Sequence, residues 1–169
     1  MLRIGTNAPG FTLPGVHHDR VLQFRLTDFE DRWLVLFFYP ADFSFVCPTE
    51  VTGFNRLYPE FRGSGAEVFG VSVDSVELHQ KWIQELGGIA YPLLSDEPRE
   101  VSLAYDLLDE DSGRAQRGTY ILSPGGIVDY ALVSHANVGR SVEETLRVLR
   151  ALQTGRQCPA DWHPEPPGP

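Results

Sequence analysis

The chain has 169 residues, 42% of them apolar and 22% charged, with a formal net charge of −9. That length fits one domain able to bury roughly 70% of its unfolded surface, and the acidic balance argues against nucleic acid or anionic membranes as partners but not against a neutral substrate. No apolar run is long enough to span a membrane and MLRIGTNAPGF has no signal-peptide core, so a cytoplasmic location with reduced thiols is expected.

Residues 1–31 read as an entry segment covering one sheet edge, with turns at Asn7-Ala8-Pro9-Gly10 and Pro14-Gly15 and a hairpin or edge strand over 21–26. Residues 34–39 form an uncharged, β-branched and aromatic run, the pattern of a buried strand. Pro40 breaks it, and Ala41 and Asp42 make the turn. From Pro48, a residue suited to a first helical turn, Val51, Phe54, Leu57, Tyr58 and Phe61 recur at helical spacing until Gly63-Ser64-Gly65. A second buried strand is expected over 67–73. A helix follows over 76–86, capped by Asp74 or Ser75 and ended by Gly87-Gly88.

Residues 91–96 predict a short strand and 100–107 a short helix; Asp109 to Gly113 reads as a solvated acidic turn. Ser123-Pro124-Gly125-Gly126 joins two strands within 117–133, a strong hairpin signal headed by Arg117. Ser141 and Glu144 form a capping box before a helix whose inner face is Val142, Thr145, Leu146, Leu149 and Leu152. The Pro-rich tail HPEPPGP is expected to be disordered. The domain is placed at 1–155, with a tail over 156–169.

This layout sets Cys47 at the start of a helix that leaves a central strand. Helix N-termini favour anions, and the thiolate, not the thiol, is the nucleophile. A free Cys beside Phe43, Phe45 and Val46 can equally be a small buried hydrophobe. Position alone leaves both readings open. The neighbours favour the first: Ser44 offers a hydroxyl, Pro40 can shield the site, and Glu50 can orient a cation. The second cysteine, Cys158, lies 158 − 47 = 111 residues away, which excludes a CxxC or zinc-knuckle pairing. Position 50, where a thioredoxin-type dithiol needs its second sulfur, is Glu. The five His residues have no metal-ligand spacing.

The segment FYPADFSFVCPTE, with Pro40-x-x-x-Ser44-x-x-Cys47, closely resembles the active-site signature of the peroxiredoxins. It is nearest the typical two-cysteine branch that includes the alkyl hydroperoxide reductase C subunits. APGFTLPGV is similar to the family's opening, SVDSVELHQKW to its post-strand segment, Val138-Gly139-Arg140-Ser141 to its VGRS motif, and GRQCPADW to its resolving-cysteine segment. Ser44 stands where Thr is usual, and Glu77 and Leu78 where an aromatic and a Thr are usual.

The resemblance implies a thioredoxin-like α/β sandwich with a mixed central sheet and an N-terminal extension. It implies a thiol-dependent peroxidase acting on hydrogen peroxide and organic hydroperoxides, with no metal or organic cofactor. Cys47 would attack the peroxide and become a sulfenic acid. Arg117 would stabilise the moving charge, Ser44 orient the peroxide and Pro40 exclude water, while Glu50 and Arg140 hold Arg117. By the same resemblance, Cys158 resolves the sulfenic acid as a Cys47–Cys158 disulfide, usually between two subunits. A thioredoxin-like protein or a flavoprotein reductase clears that bridge. The chain would then be a homodimer, with assembly into a ring left open. A sensor or holdase protein and a thiol–disulfide oxidoreductase are the competing readings; Glu50 argues against the second. The shortened Leu86-Gly-Gly-Ile-Ala90 loop and a tail without Tyr or Phe after Trp162 imply fast resolution and resistance to over-oxidation.

Overall fold

The computed structural model describes residues 1–165. Its frame is the strand β3 (Trp33–Phe38), whose side chains alternate between two buried faces. Val35 and Phe37 point into one apolar cluster, Leu34, Leu36 and Phe38 into the other. A strand buried on both sides carries no polar face, which is why this run lacks charge.

Around it lie β1 (Thr12–His17), β2 (Arg20–Arg25), β4 (Ala66–Ser72), β5 (Leu93–Ser95), β8 (Arg117–Ser123) and β9 (Ile127–Ser134), with β6 (Leu108–Asp109) and β7 (Arg114–Ala115) forming a separate small ladder. The seven-stranded sheet runs β2-β1-β5-β4-β3-β8-β9. β3 pairs parallel with β4 and β4 with β5, whereas β1 and β8 join antiparallel, so the sheet is mixed. The helices α1 (Cys47–Gly63), α2 (Val76–Glu85) and α4 (Val142–Gln153) contribute to the first cluster; α3 (Glu100–Ala104) contributes Val101 to the second.

Local chemistry explains most boundaries. Ser75 caps α2 by accepting the Leu78 N–H, and Ser141 caps α4 by accepting that of Glu144. The hairpin between β8 and β9 turns through Gly125 and Gly126, both at positive φ. Gly53 lets α4 approach α1: a Cβ there would sit 3.0 Å from Val142 Cγ2.

Several expectations shift. The central strand begins at Trp33 and ends at Phe38, and α1 begins at Cys47 itself, one residue before Pro48. Pro14-Gly15, read as a turn, lies inside β1. The reversal falls instead on His18-Asp19, at φ 49° and 62°, as a two-residue hairpin turn requires. Gly15 is needed there because a Cβ would press on the Phe24 ring at 3.0 Å. The short helix stops at Ala104, and Asp106 at φ 56° turns the chain before Leu107. The acidic turn joins β6 to β7.

The tail is partly docked. Gly155 at φ 63° turns it back, and Arg147 Nη1 of α4 donates to Trp162 O at 2.9 Å. Residues 163–165 carry no regular structure, and the rest of HPEPPGP lies outside the described residues.

Candidate active site

The site forms where β3 ends and α1 starts. Cys47 is the first residue of α1 and is fully buried, with a free thiol. Its N–H donates to Ser44 Oγ at 3.3 Å. Pro48 has no N–H, and the Thr49 N–H is taken by Val46 O at 3.1 Å. The first turn therefore offers fewer free N–H groups than a helix start suggests. What it offers instead is the Ser44 hydroxyl proton, for which the described residues supply no acceptor.

Arg117, at the head of β8, reaches the sulfur from the next strand. Its Nη1 donates to Cys47 Sγ at 3.2 Å and to Glu50 Oε1 at 2.5 Å, and its Nε donates to Ala136 O at 2.7 Å. Nη2 makes no hydrogen bond among the described residues. Glu50, one helical turn after Cys47, also binds Arg140 from the segment before α4. Arg140 Nε and its backbone N–H reach Glu50 Oε2 at 2.6 and 2.8 Å, and Nη2 reaches Oε1 at 3.1 Å. Burial alone would raise the Glu50 carboxyl, but hydrogen bonds and charge from Arg140, joined by the charge of Arg117, outweigh it and hold the group below its ordinary value.

Charge counting within this cluster has a chemical consequence. Two guanidinium groups, both buried, face one carboxylate. One positive charge is left over, and the nearest atom able to balance it as an anion is the Cys47 sulfur. Arg140 is itself fixed by Gly118 O at 2.7 Å and Thr119 Oγ1 at 3.2 Å. Gly139 lies against the start of α1, with Val46, Thr49 and Glu50 side chains within van der Waals reach of a Cβ built there.

Pro40 and Arg117 line one end of a groove of about 480 Å³ that continues past Arg114, Gln116 and His135. The structure thus brings Pro40, Ser44, Cys47, Glu50, Arg117 and Arg140 together and leaves Cys158 apart. Cys158 Sγ lies 3.8 Å from Ala151 O at the far end of α4. Among the described residues no group of three His, Cys, Asp or Glu side chains could hold a metal ion.

Further residues build the site without announcing themselves. Asp42 is buried rather than turned to solvent. Its Oδ1 accepts from Tyr39 Oη at 2.7 Å, its Oδ2 lies 2.6 Å from His79 Nδ1, and His79 Nε2 lies 3.0 Å from Leu94 O. Its N–H donates to Asp74 Oδ2 at 2.8 Å. This network pins the loop before Cys47 to α2, and it holds Phe43 at φ 55°, a costly angle for an aromatic residue. The available signal was His79 falling with Trp82 and Ile83 on the inner face of α2, where a polar ring needs a partner. Tyr91 Oη donates to Val51 O at 2.6 Å.

Comparison with known proteins points one way. The AhpC/TSA family model matches residues 4–131. A Clostridium pasteurianum chain described as a peroxiredoxin of the rubredoxin operon is 47% identical over 168 residues, covering 95% of this chain and 94% of its own. The chloroplastic 2-cysteine peroxiredoxin of Chattonella marina var. antiqua is 42% identical, covering 96% and 89%. The reduced 2-Cys peroxiredoxin of Plasmodium vivax superposes with a TM-score of 0.90 at 34% identity, covering 95% of this chain and 89% of that one. Mycobacterium bovis AhpC gives 0.87 at 35%, covering 96% and 99%. With a family model across most of its length and relatives 42–47% identical over nearly the whole chain, the chain belongs to the AhpC/TSA family, as a peroxiredoxin of the AhpC type.

Proposed function

We propose that this thiol-dependent peroxidase works through Cys47 as nucleophile, with Arg117 and Ser44 as the groups that act on the peroxide. The observation that carries the assignment is the pair of uncommitted donors beside one buried sulfur, the Ser44 hydroxyl and Arg117 Nη2. Cys47 thiolate attacks the near oxygen, the S–O bond forms as the O–O bond breaks, and the leaving oxygen takes a proton to become water or an alcohol. Cys47 is left as a sulfenic acid. Negative charge moves from sulfur to the leaving oxygen, and a planar guanidinium can donate to both positions without reorganising. Pro40 limits water at the sulfur. Glu50 and Arg140 keep the Arg117 fork in register.

Cys158 then attacks the sulfenic sulfur; a disulfide forms and water leaves. A thioredoxin-like or flavoprotein reductase returns two electrons. The protein acts in the cytoplasm, where such donors keep thiols reduced, as a homodimer whose partner tail supplies Cys158. The separation of the two cysteines across the length of α4 supports the partner route. Separately, Phe45 is 95% accessible and offers an apolar surface to a further copy of the chain. Among the described residues no helix is long and apolar enough to cross a membrane.

The test is steady-state consumption of hydrogen peroxide and an alkyl hydroperoxide with a panel of reductants. Multiple turnover that disappears in Cys47→Ser supports the assignment. Turnover surviving that substitution, or insulin reduction without peroxide turnover, overturns it.

A further inference from the structure

Resolution demands that Cys47 leave its pocket. The residue is fully buried in the first turn of α1, and a disulfide brings two Cα atoms to about 4.4–6.8 Å, so the turn must open before any tail can meet the sulfur. How far the opening runs is decided further along the helix. α1 has a weak point of its own, because Pro59 has no N–H for the Asn55 carbonyl.

Two groups from the segment before β5 reach α1 between these places. Tyr91 Oη donates to the Val51 carbonyl at 2.6 Å, and the Ala90 N–H donates to Asn55 Oδ1 at 2.8 Å. Tyr91 is fully buried, its ring 5.7 Å from Phe37 edge-on and 5.8 Å from Tyr58. Burial, offset in part by Arg140, pushes its phenol well above the ordinary range, so it remains a donor. If unwinding passed residue 50, the Val51 carbonyl would swing away and strand that hydroxyl as a buried donor without an acceptor. Such groups are rare because they are costly.

We infer that Tyr91 is a positioning residue for the resolving step: its bond to the Val51 carbonyl stops the opening of α1 at residue 50. Residues 47–50 unwind as one unit while the helix from Val51 stays wound. This rests on the peroxidase reading above. It also couples two events, because Glu50 lies inside the released unit. Freeing the sulfur withdraws the carboxylate from Arg117 and Arg140, so the peroxide site comes apart as Cys47 becomes available to Cys158.

Amide hydrogen exchange, followed by NMR on the full chain in its reduced and disulfide forms, tests the limit. The helical acceptors of the Val51, Thr52, Gly53 and Phe54 amides are the carbonyls of residues 47–50. Those four amides should lose protection together in the disulfide form, while Asn55, bonded to the held Val51 carbonyl, keeps it. Tyr91→Phe keeps the ring and removes the bond; Asn55 exchange should then rise about tenfold, with Leu149 in α4 unchanged. Asn55 exchanging together with residues 51–54 in the unmodified disulfide form would overturn the inference. So would Tyr91→Phe leaving Asn55 protected, or lowering Leu149 and Asn55 alike. The mass of the peroxide-treated chain is read in parallel. Absence of the bridge would sink the Cys158 resolving step alone, since the order of amide opening in the reduced chain still decides whether Tyr91 limits the opening of α1.

Discussion

One nitrogen of Arg117 joins the nucleophile to its support: Nη1 donates to Cys47 Sγ at 3.2 Å and to Glu50 Oε1 at 2.5 Å. Held on one side by the carboxylate and on another by Ala136 O, the guanidinium cannot turn away from the sulfur. Its planar fork leaves Nη2 for the peroxide. Arg117→Lys keeps the charge but loses this geometry. The rate constant for peroxide should fall by about 10²–10³, with an unchanged circular dichroism spectrum. Stopped-flow fluorescence gives the rate, and a value near wild type would reduce Arg117 to a strand-end charge.

Ser44 has two jobs in the structure. Its oxygen accepts the Cys47 N–H at 3.3 Å, and its proton remains available. Ser44→Ala removes both. Stability should drop by about 1 kcal/mol, as for loss of a helix cap, and the peroxide rate by about tenfold or more. Ser44→Thr, which keeps the hydroxyl and restrains its rotamer, should restore both. Thermal melts and competition kinetics on the two variants decide the matter.

The Glu50 cluster predicts a pH dependence with a definite sign. Glu50→Gln leaves two buried guanidinium groups without their carboxylate, a change that costs about 3–5 kcal/mol and should lower Tm by roughly 10 °C at neutral pH. The folded-state carboxyl is depressed below its ordinary value of 4.5. Its contribution to stability is therefore fully present above that value and lost as pH falls through the lower, folded-state value. The Tm gap between wild type and Glu50→Gln should be constant from neutral pH to about pH 5 and close below it. A gap that persists into strong acid would show that shape, not charge, sets the cost.

Much of this was legible in sequence because it is local. The uncharged run ending in Phe38, the Pro at the second position of α1 and the capping serines of α2 and α4 each act within a few residues. The same holds for Ser44 and Glu50, one turn to either side of Cys47. Arg117 and Arg140 were legible only through resemblance, since nothing near them in the chain says they converge on Glu50. What stayed hidden depends on the fold. Asp42 and His79 are 37 residues apart and Tyr91 and Val51 are 40 apart, and each pair meets only after β3, β4 and β5 align in parallel. Pro14-Gly15 misled for a physical reason: the same two residues serve a tight turn or a strand where a ring lies close, and only Phe24 across the ladder distinguishes them.

The last prediction concerns where the disulfide forms. Arg140, beside Glu50, marks the Cys47 end of α4, and Ala151, beside Cys158, marks the other. α4 itself, from Val142 to Gln153, spans 153 − 142 = 11 residue steps, or about 16 Å along its axis. From Thr154, the C-cap of α4, the tail has 158 − 154 = 4 residues with which to turn back, at most ~14 Å fully extended. An own-chain bridge thus needs the tail stripped from Arg147 and stretched to its limit. A partner's tail needs only the first turn of α1 to open. Treating the reduced chain with one equivalent of peroxide should therefore move it to dimer size on a non-reducing gel. Cys158→Ser should stay monomeric while still consuming one peroxide per chain, and Cys47→Ser should do neither. Equal mixing of the two single variants followed by peroxide gives the sharpest reading, because each chain then holds one thiol and only a bridge between subunits can form. Dimer-sized product in the mixture is expected. Loss of both thiols in wild type at monomer size, with no product in the mixture, would place the bridge within one chain.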